Sequence, residues 1–191
     1  MITVMGGASP VVLAQTPDWP CQQGFVAMLE AGQMWSGPPL GKPPAEPDPK
    51  ATALVQRLVD VHLPDETMAA EVKSYGQSLP ADQREEALTT LFAMALDRLN
   101  AERSILLTGV KHYARGQRQL AEKIAAETRE LAKLRQQPTA DAARVDDLDT
   151  ARIWDTRVFS DRQRSLQLVC EQPVLVEQRA FALARAIQEQ L

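Results

Sequence analysis

Aromatic residues are scarce in this 191-residue chain: four Phe, three Trp and two Tyr make up 5% of it. That shortage disfavours β-sheet architectures, whose strands draw on aromatic and β-branched side chains. Histidine occurs only as His62 and His112, neither with another His or Cys within helical reach, so the spacing of a metal site is missing. Cysteine occurs twice, as Cys21 and Cys170, which excludes CxxC redox and zinc motifs. No nucleophile-elbow, Walker-type or dinucleotide-binding glycine pattern is present. The run Asp146, Asp147 and Asp149 lacks the glycine turn and terminal Glu of an EF-hand loop. Ser74, Ser78, Ser104, Ser160 and Ser165 fall on or beside helical patterns without an elbow context. No catalytic, metal-ligating or cofactor-binding residue, and no cofactor, is therefore expected. A basic excess is missing too: 21 Lys and Arg against 25 Asp and Glu give a net charge of -4, which argues against nucleic acid as a partner.

What is abundant points to helices. The hydrophobic fraction of 45% is carried mainly by Leu, Ala and Val, and Ala and Leu are strong helix formers. The length suits one domain, with or without an extended projection. Residues 1–14 contain no charged side chain and read as the remainder of a signal peptide, with Val12 and Ala14 supplying small residues before a cut ahead of Gln15. That stretch, with Gly6, Gly7 and Pro10, is too short to span a bilayer. An exported chain with two distant cysteines is expected to join Cys21 to Cys170. Closing a loop of about 150 residues stabilises by roughly 4–5 kcal/mol on the loop-closure argument.

Residues 15–50 form an arm in which Pro17, Pro20, Pro38, Pro39, Pro43, Pro44, Pro47 and Pro49 exclude most regular structure. One helical turn is expected between Gln22 and Gln33, where Phe25, Met28 and Leu29 share a face. Trp19 and Trp35 are expected to anchor the arm on the core. The opening Asp18, Trp19, Pro20, Cys21, with Trp35, Gly37 and Pro38 downstream, resembles the start of an uncharacterised group of proteobacterial exported proteins that begin Asp-Trp-Pro-Cys. The resemblance covers the first few tens of residues; it implies export and no activity.

Residues 51–191 read as a helical domain. Leu54, Val55, Leu58, Val59 and Val61 make a stripe that stops before Pro64, after which Asp65 is expected to cap a second helix through Val72 and Tyr75 to Gly76. A heptad-like series, Leu88, Phe92, Ala95, Leu99, Glu102 and Leu106, then Val110, Tyr113, Gln117, Leu120, Ile124, Glu127, Leu131 and Leu134, predicts one helix from Pro80 to Gln137. Gly109 marks where it would divide. Pro138 ends it, with Thr139 or Asp141 able to cap a return helix carrying Val145, Leu148, Ile153, Trp154, Val158, Phe159, Leu166 and Val169. Pro173 is expected to interrupt that helix and a final one to run to Leu191.

The outgoing arm is biased towards Lys and Arg and the return arm towards Asp, which favours antiparallel pairing. The expected register sets Leu134 near Val145, Leu131 near Leu148 and Glu127 beside Arg152. The fold expectation is thus all-α: a small helical bundle with a long antiparallel hairpin, about 110–169, and an irregular Pro-rich arm. Functionally this reads as a non-enzymatic periplasmic accessory or scaffold protein, membrane association open. It would dock on an envelope protein complex through the exposed hairpin tip, Gln136, Gln137, Pro138 and Thr139. The hairpin has a general resemblance to those of periplasmic adaptor proteins, but their flanking β-rich domains have no counterpart, so a transport role does not carry over. A chaperone-like or small-ligand-binding helical protein, and a hydrolase whose site is assembled only on folding, are the alternatives. Oligomeric state stays open.

Overall fold

In a computed structural model that describes residues 18–191, the chain is all-α, with four helices and no strand among the described residues. The expected signal segment and cleavage point lie outside the described residues. Helix α1 (Pro49–Leu58) opens on Asp48, whose carboxylate accepts from the Ala51 N–H at 3.1 Å, with Pro49 at the first helical position. It stops earlier than the apolar stripe suggested. Asp60 accepts from the His62 N–H at 2.9 Å and turns the chain, leaving Val59 and Val61 as packing residues beyond the helix.

Helix α2 (Asp65–Ser78) begins at Asp65 itself, so the expected cap is corrected: Pro64 occupies the cap position and no side chain caps it. The Asp65 carboxylate instead meets the Arg179 guanidinium at 3.1 Å. Arg179 is buried and also donates to the Leu63 carbonyl, tying the entry of α2 to the last helix.

Helix α3 (Arg84–Arg135) is one unbroken element of 52 residues, about 78 Å long. It starts four residues later than expected, because residues 81–83 form a turn and Arg84 donates to the Gly76 carbonyl at 2.8 Å. Gly109 does not divide it. Its place on an exposed face means that no packing is lost there, and a single helical glycine costs only about 1 kcal/mol. Lys133 and Arg135 occupy the last turn, where cations suit the helix dipole.

Helix α4 (Ala142–Gln188) is capped by Asp141, which accepts from the Ala143 N–H at 3.0 Å. It runs through Pro173, contrary to the expected interruption and separate last helix. Proline removes one intrahelical donor and crowds the preceding turn. The lost donor frees the Val169 carbonyl; beside it, Arg103 donates to Pro173 O and Gln23 donates to Cys170 O at 2.6 Å, tying this turn to α3 and the arm. Pro173 is itself fully buried, so packing favours continuity over a break.

The core lies at one end. Leu58, Met68, Val72, Leu88, Leu91 and Phe92 pack against Leu183 and Ile187, joining α1 and α2 to the first third of α3 and the last turns of α4. The arm crosses this bundle. Trp35 stacks on Phe92 with ring centroids 4.5 Å apart and donates to Pro38 O at 2.7 Å. Gly37 is required there: a Cβ would meet the Trp35 ring at 2.7 Å. The expected helical turn over Gln22–Gln33 shrinks to a 3-10 turn, Ala31–Gln33. Leu29 alone of the proposed apolar face is buried, and Met28 is 54% exposed. Instead of bonding to its own backbone, the arm bonds to a side chain of α3. Asn100 accepts from Leu29 N–H at 2.8 Å and donates to Leu29 O at 3.1 Å. Beyond the bundle, α3 and α4 continue as an antiparallel hairpin turning at Gln136–Asp141.

Candidate functional site

Two surfaces carry what this chain offers to other molecules: the hairpin, and a groove where the arm is stapled to α4. The staple is a Cys21–Cys170 disulfide with the Cα atoms 5.6 Å apart, spanning 149 positions of sequence. Its presence suits an oxidising compartment, and among the described residues no helix is long and apolar enough to cross a membrane. Around it, the residues of the Asp-Trp-Pro-Cys opening have visible tasks. Asp18 pairs with Arg115 at 3.1 Å and with Arg118, whose hydrogen bond, ahead of that from Arg115, holds the carboxyl below the usual Asp range. Trp19 donates to Gln23 O at 2.6 Å and sets its edge against Phe25, centroids 5.2 Å apart. Lys111 of α3 sits 3.9 Å above the other ring of that pair, Phe25.

Between this stapled segment and α4 lies a groove of about 1190 Å³, with Gly24 and Val26 on one side and Val174, Gln178 and Phe181 on the other. Arg103 lies at its floor, 4% exposed, donating to Pro173 O and to Val26 O, with Glu177 at 3.6 Å. Burial pushes the Arg103 pKa down, and the Glu177 charge opposes that. Nothing in the apolar periodicity marks Arg103 as a core position; the neighbouring Glu102 was the seam residue by spacing, and it is only half-buried.

Along the hairpin the seam narrows. Val110, Ala114, Gln117, Leu131 and Leu134 are buried on α3, facing the half-buried Val145, Leu148, Phe159 and Leu166. Tyr113 donates to Arg162 O, and Gln117 donates to Phe159 O at 3.3 Å. The expected Glu127–Arg152 pair is replaced. Lys123 reaches Asp155 at 2.5 Å and Glu127 at 3.7 Å, while Arg152 turns along its own helix to Asp149 at 2.7 Å. The hydrogen bond to Asp155 raises the Lys123 pKa, and the one from Arg152 lowers that of Asp149. Arg135 also reaches Asp149 at 2.7 Å, and Arg144 reaches Glu130 at 3.5 Å.

Because Asp155 takes the inward position on α4, Ile153 and Trp154 do not join the seam as their apolar character suggested. They are 58% and 63% exposed on the outer face of α4. Helix periodicity places Thr150 and Arg157 on the same face one turn away. The pair stands 16 residues from Cys170, about 24 Å beyond the staple. At the tip, Gln136, Gln137, Pro138 and Thr139 are all exposed. Only Gln136 and Gln137 bond back, through their N–H groups, to Lys133 O and Leu134 O.

The remaining polar side chains of interest are dispersed. His62 is exposed in the turn between α1 and α2, and His112 is exposed on α3. The hydroxyls of Ser160 and Ser165 donate to carbonyls one turn back in α4. Among the described residues no three His, Cys, Asp or Glu side chains gather as a metal site would require. Set against known proteins, the chain matches no family, no curated protein and no solved structure.

Proposed function

We propose that this is a non-enzymatic accessory protein of the bacterial periplasm that docks on an envelope protein complex through its helical hairpin. One observation carries the reading. Of three tryptophans, Trp19 and Trp35 pack within the arm and bundle, whereas Trp154 stands out on the hairpin beside exposed Ile153. A large aromatic side chain held on a rigid helix, with polar residues around it, has the make-up of an interface anchor. The hairpin projects this anchor away from the bundle, and the exposed tip Gln136–Thr139 adds polar contacts at its end. The disulfide and the resemblance of the opening segment to exported proteins support the compartment.

The test is a matched deletion of Leu120–Gln137 and Pro138–Phe159, closed by a short Gly/Ser turn, together with a photo-crosslinker placed at position 154. The docking reading expects the shortened protein to fold with its disulfide and to lose its envelope partner. In the full-length chain, position 154 should cross-link to one membrane-complex subunit while exposed Arg164, replaced in the same way, does not. A shortened protein that keeps the partner, or identical cross-linking from both positions, overturns the reading.

A further inference from the structure

The outer face of α4 carries a row of side chains that the hairpin itself does not use. Asp147, Thr150, Trp154, Arg157, Asp161 and Arg164 follow one another at alternating steps of three and four, with Ala143 and Leu168 one step beyond at either end, and all are exposed. That is the heptad spacing of a helix seam. The seam with α3 occupies the other side of the helix, at Val145, Leu148, Asp155, Phe159 and Leu166. The side chains of Asp147, Trp154 and Arg157 make no hydrogen bond, ion pair or ring contact among the described residues. Three turns beyond Leu168 the same face reaches Arg179, which is buried against Leu63 and Asp65 where α2 begins. The row thus fills the stretch of α4 that α2 leaves open.

Turned end for end, the row is its own complement. With a two-fold axis passing between residues 155 and 156, an antiparallel second copy sets its Arg164 opposite Asp147, its Asp161 opposite Thr150 and its Arg157 opposite Trp154, with Leu168 opposite Ala143. The two-fold axis makes each of these contacts twice. Other alignments match less well. Parallel pairing sets each charge against its own kind, Asp147 on Asp147 and Arg164 on Arg164. Sliding the antiparallel copy by one heptad brings Asp147 against Glu171 in one direction and leaves Arg164 opposite Ala140 in the other. The matched register also fits the fold lengthwise: the tip of each copy at Pro138 comes level with Pro173 of the other, short of Arg179 where α2 takes over the face.

We propose that this face pairs with the same face of a second copy, as an antiparallel two-fold dimer in which Trp154 of each chain lies over Arg157 of the other and Asp147 meets Arg164. Among aromatic rings Trp attracts a guanidinium most strongly, and Arg164, which holds Asp161 on its own helix, has further donors for the second copy's Asp147. Exposed Ile153 adds apolar surface beside the axis. Charge sets the register, and Trp154 supplies much of the area removed from water. The inference goes beyond the docking reading and does not rest on it. On one chain a second copy and an envelope complex use the same anchor, so the dimer keeps Trp154 covered until a complex displaces it. A photo-cross-link from position 154 to a second copy has twice the mass of one chain, which tells it apart from a link to a membrane subunit.

Sedimentation equilibrium of the purified full chain, with its disulfide intact, tests the pairing. The mass should rise with concentration from the 21.1 kDa of one chain towards twice that value. Association should weaken roughly tenfold or more in the single variants Asp147→Arg and Arg164→Asp, each of which sets like charges face to face. The double variant carries the same pair reversed and should regain most of the native affinity. Both positions are exposed, so the helix is expected to survive the changes, and circular dichroism checks that it does. A native chain that stays monomeric up to about 200 μM, a dimer indifferent to the single reversals, or a double variant no tighter than the singles overturns the proposal. Because only this protein is present in the measurement, its failure leaves the docking reading standing.

Discussion

The two ends of this molecule are held by different physics. At the base, α1 and α2 cover the ends of α3 and α4, and Leu58, Val72, Leu88, Phe92, Leu99, Leu183 and Ile187 are sealed from solvent. Along the hairpin only two helices meet. A pair of helices cannot enclose a wide apolar face, so the seam includes Gln117, Glu127 and Asp155, the last two met by exposed Lys123, and is flanked by exposed ion pairs. Exposed pairs contribute a few tenths of a kcal/mol each, about a tenth of what a sealed Leu or Phe contributes. The contrast shows that the hairpin owes its position to register and reach, while the stability of the chain resides in the base.

The sharpest way to break that contrast is a large cavity at each end. Replacing Phe92 with Ala removes the ring that Trp35 stacks on and should cost about 3–5 kcal/mol. Denaturant titration followed by tryptophan fluorescence measures it. Leu131→Ala in the hairpin should cost roughly half as much or less, because the two-helix seam can collapse and water can reach it. Equal costs would place the main core along the whole length of the long helices.

Opening the staple has an intermediate effect. Serines at positions 21 and 170 should lower stability by roughly 2–4 kcal/mol, below the loop-closure value of about 4–5 because a real unfolded chain keeps some structure. Hydrogen exchange should rise in residues 18–28, where Gln23 and Asp18 keep only polar ties to the helices, and less at Leu29, whose side chain is sealed in the core. Amides of the hairpin beyond Ala121 should be unchanged. Deprotection of the hairpin instead would show that the staple, rather than the seam, aligns the two arms.

The smallest effect is that of pH, and in the hairpin it rests on two ion-paired groups. Asp149 titrates below the usual Asp range because of Arg152 first and Arg135 next. Its stabilisation is therefore complete above that ordinary range and is lost as pH falls through the depressed folded value. Lys123 shifts upward through Asp155, so its contribution is complete below the ordinary Lys range and is lost as pH rises through the raised value. Methyl NMR signals of Leu131 and Leu134 should move in both windows, while those of Leu183 and Ile187 hold still. Simultaneous movement of all four would mean that base and hairpin unfold as one unit.

Much of the architecture was legible because helical periodicity is a local property. Leu88, Phe92, Ala95 and Leu99 repeat at the spacing of one helix face, and all four are sealed from solvent. Pro138 and Asp141 mark the turn through restrictions on their own backbones and neighbours. The Cys21–Cys170 pairing followed from there being only two cysteines in a chain read as exported. The candidate sites were less legible. The tip residues are exposed as expected, but the groove with buried Arg103 at its floor leaves no mark in composition, since it depends on where the arm lies against α4.

The sequence by itself determined the all-α class, the two long helices, the antiparallel return and the irregular arm, because proline chemistry, capping and 3.6-residue periodicity act within a few residues of one another. Tertiary structure alone decided the continuity of α4 through Pro173, since that residue is fully buried and its carbonyl accepts from Arg103, distant in sequence. It also decided which of two adjacent faces of α4 turns inward. Asp155 could bury because Lys123 stood opposite, and that single ion pair left Ile153 and Trp154 outside. Burial of a charge depends on a partner across space, and a pattern read along one strand of chain contains no such coordinate.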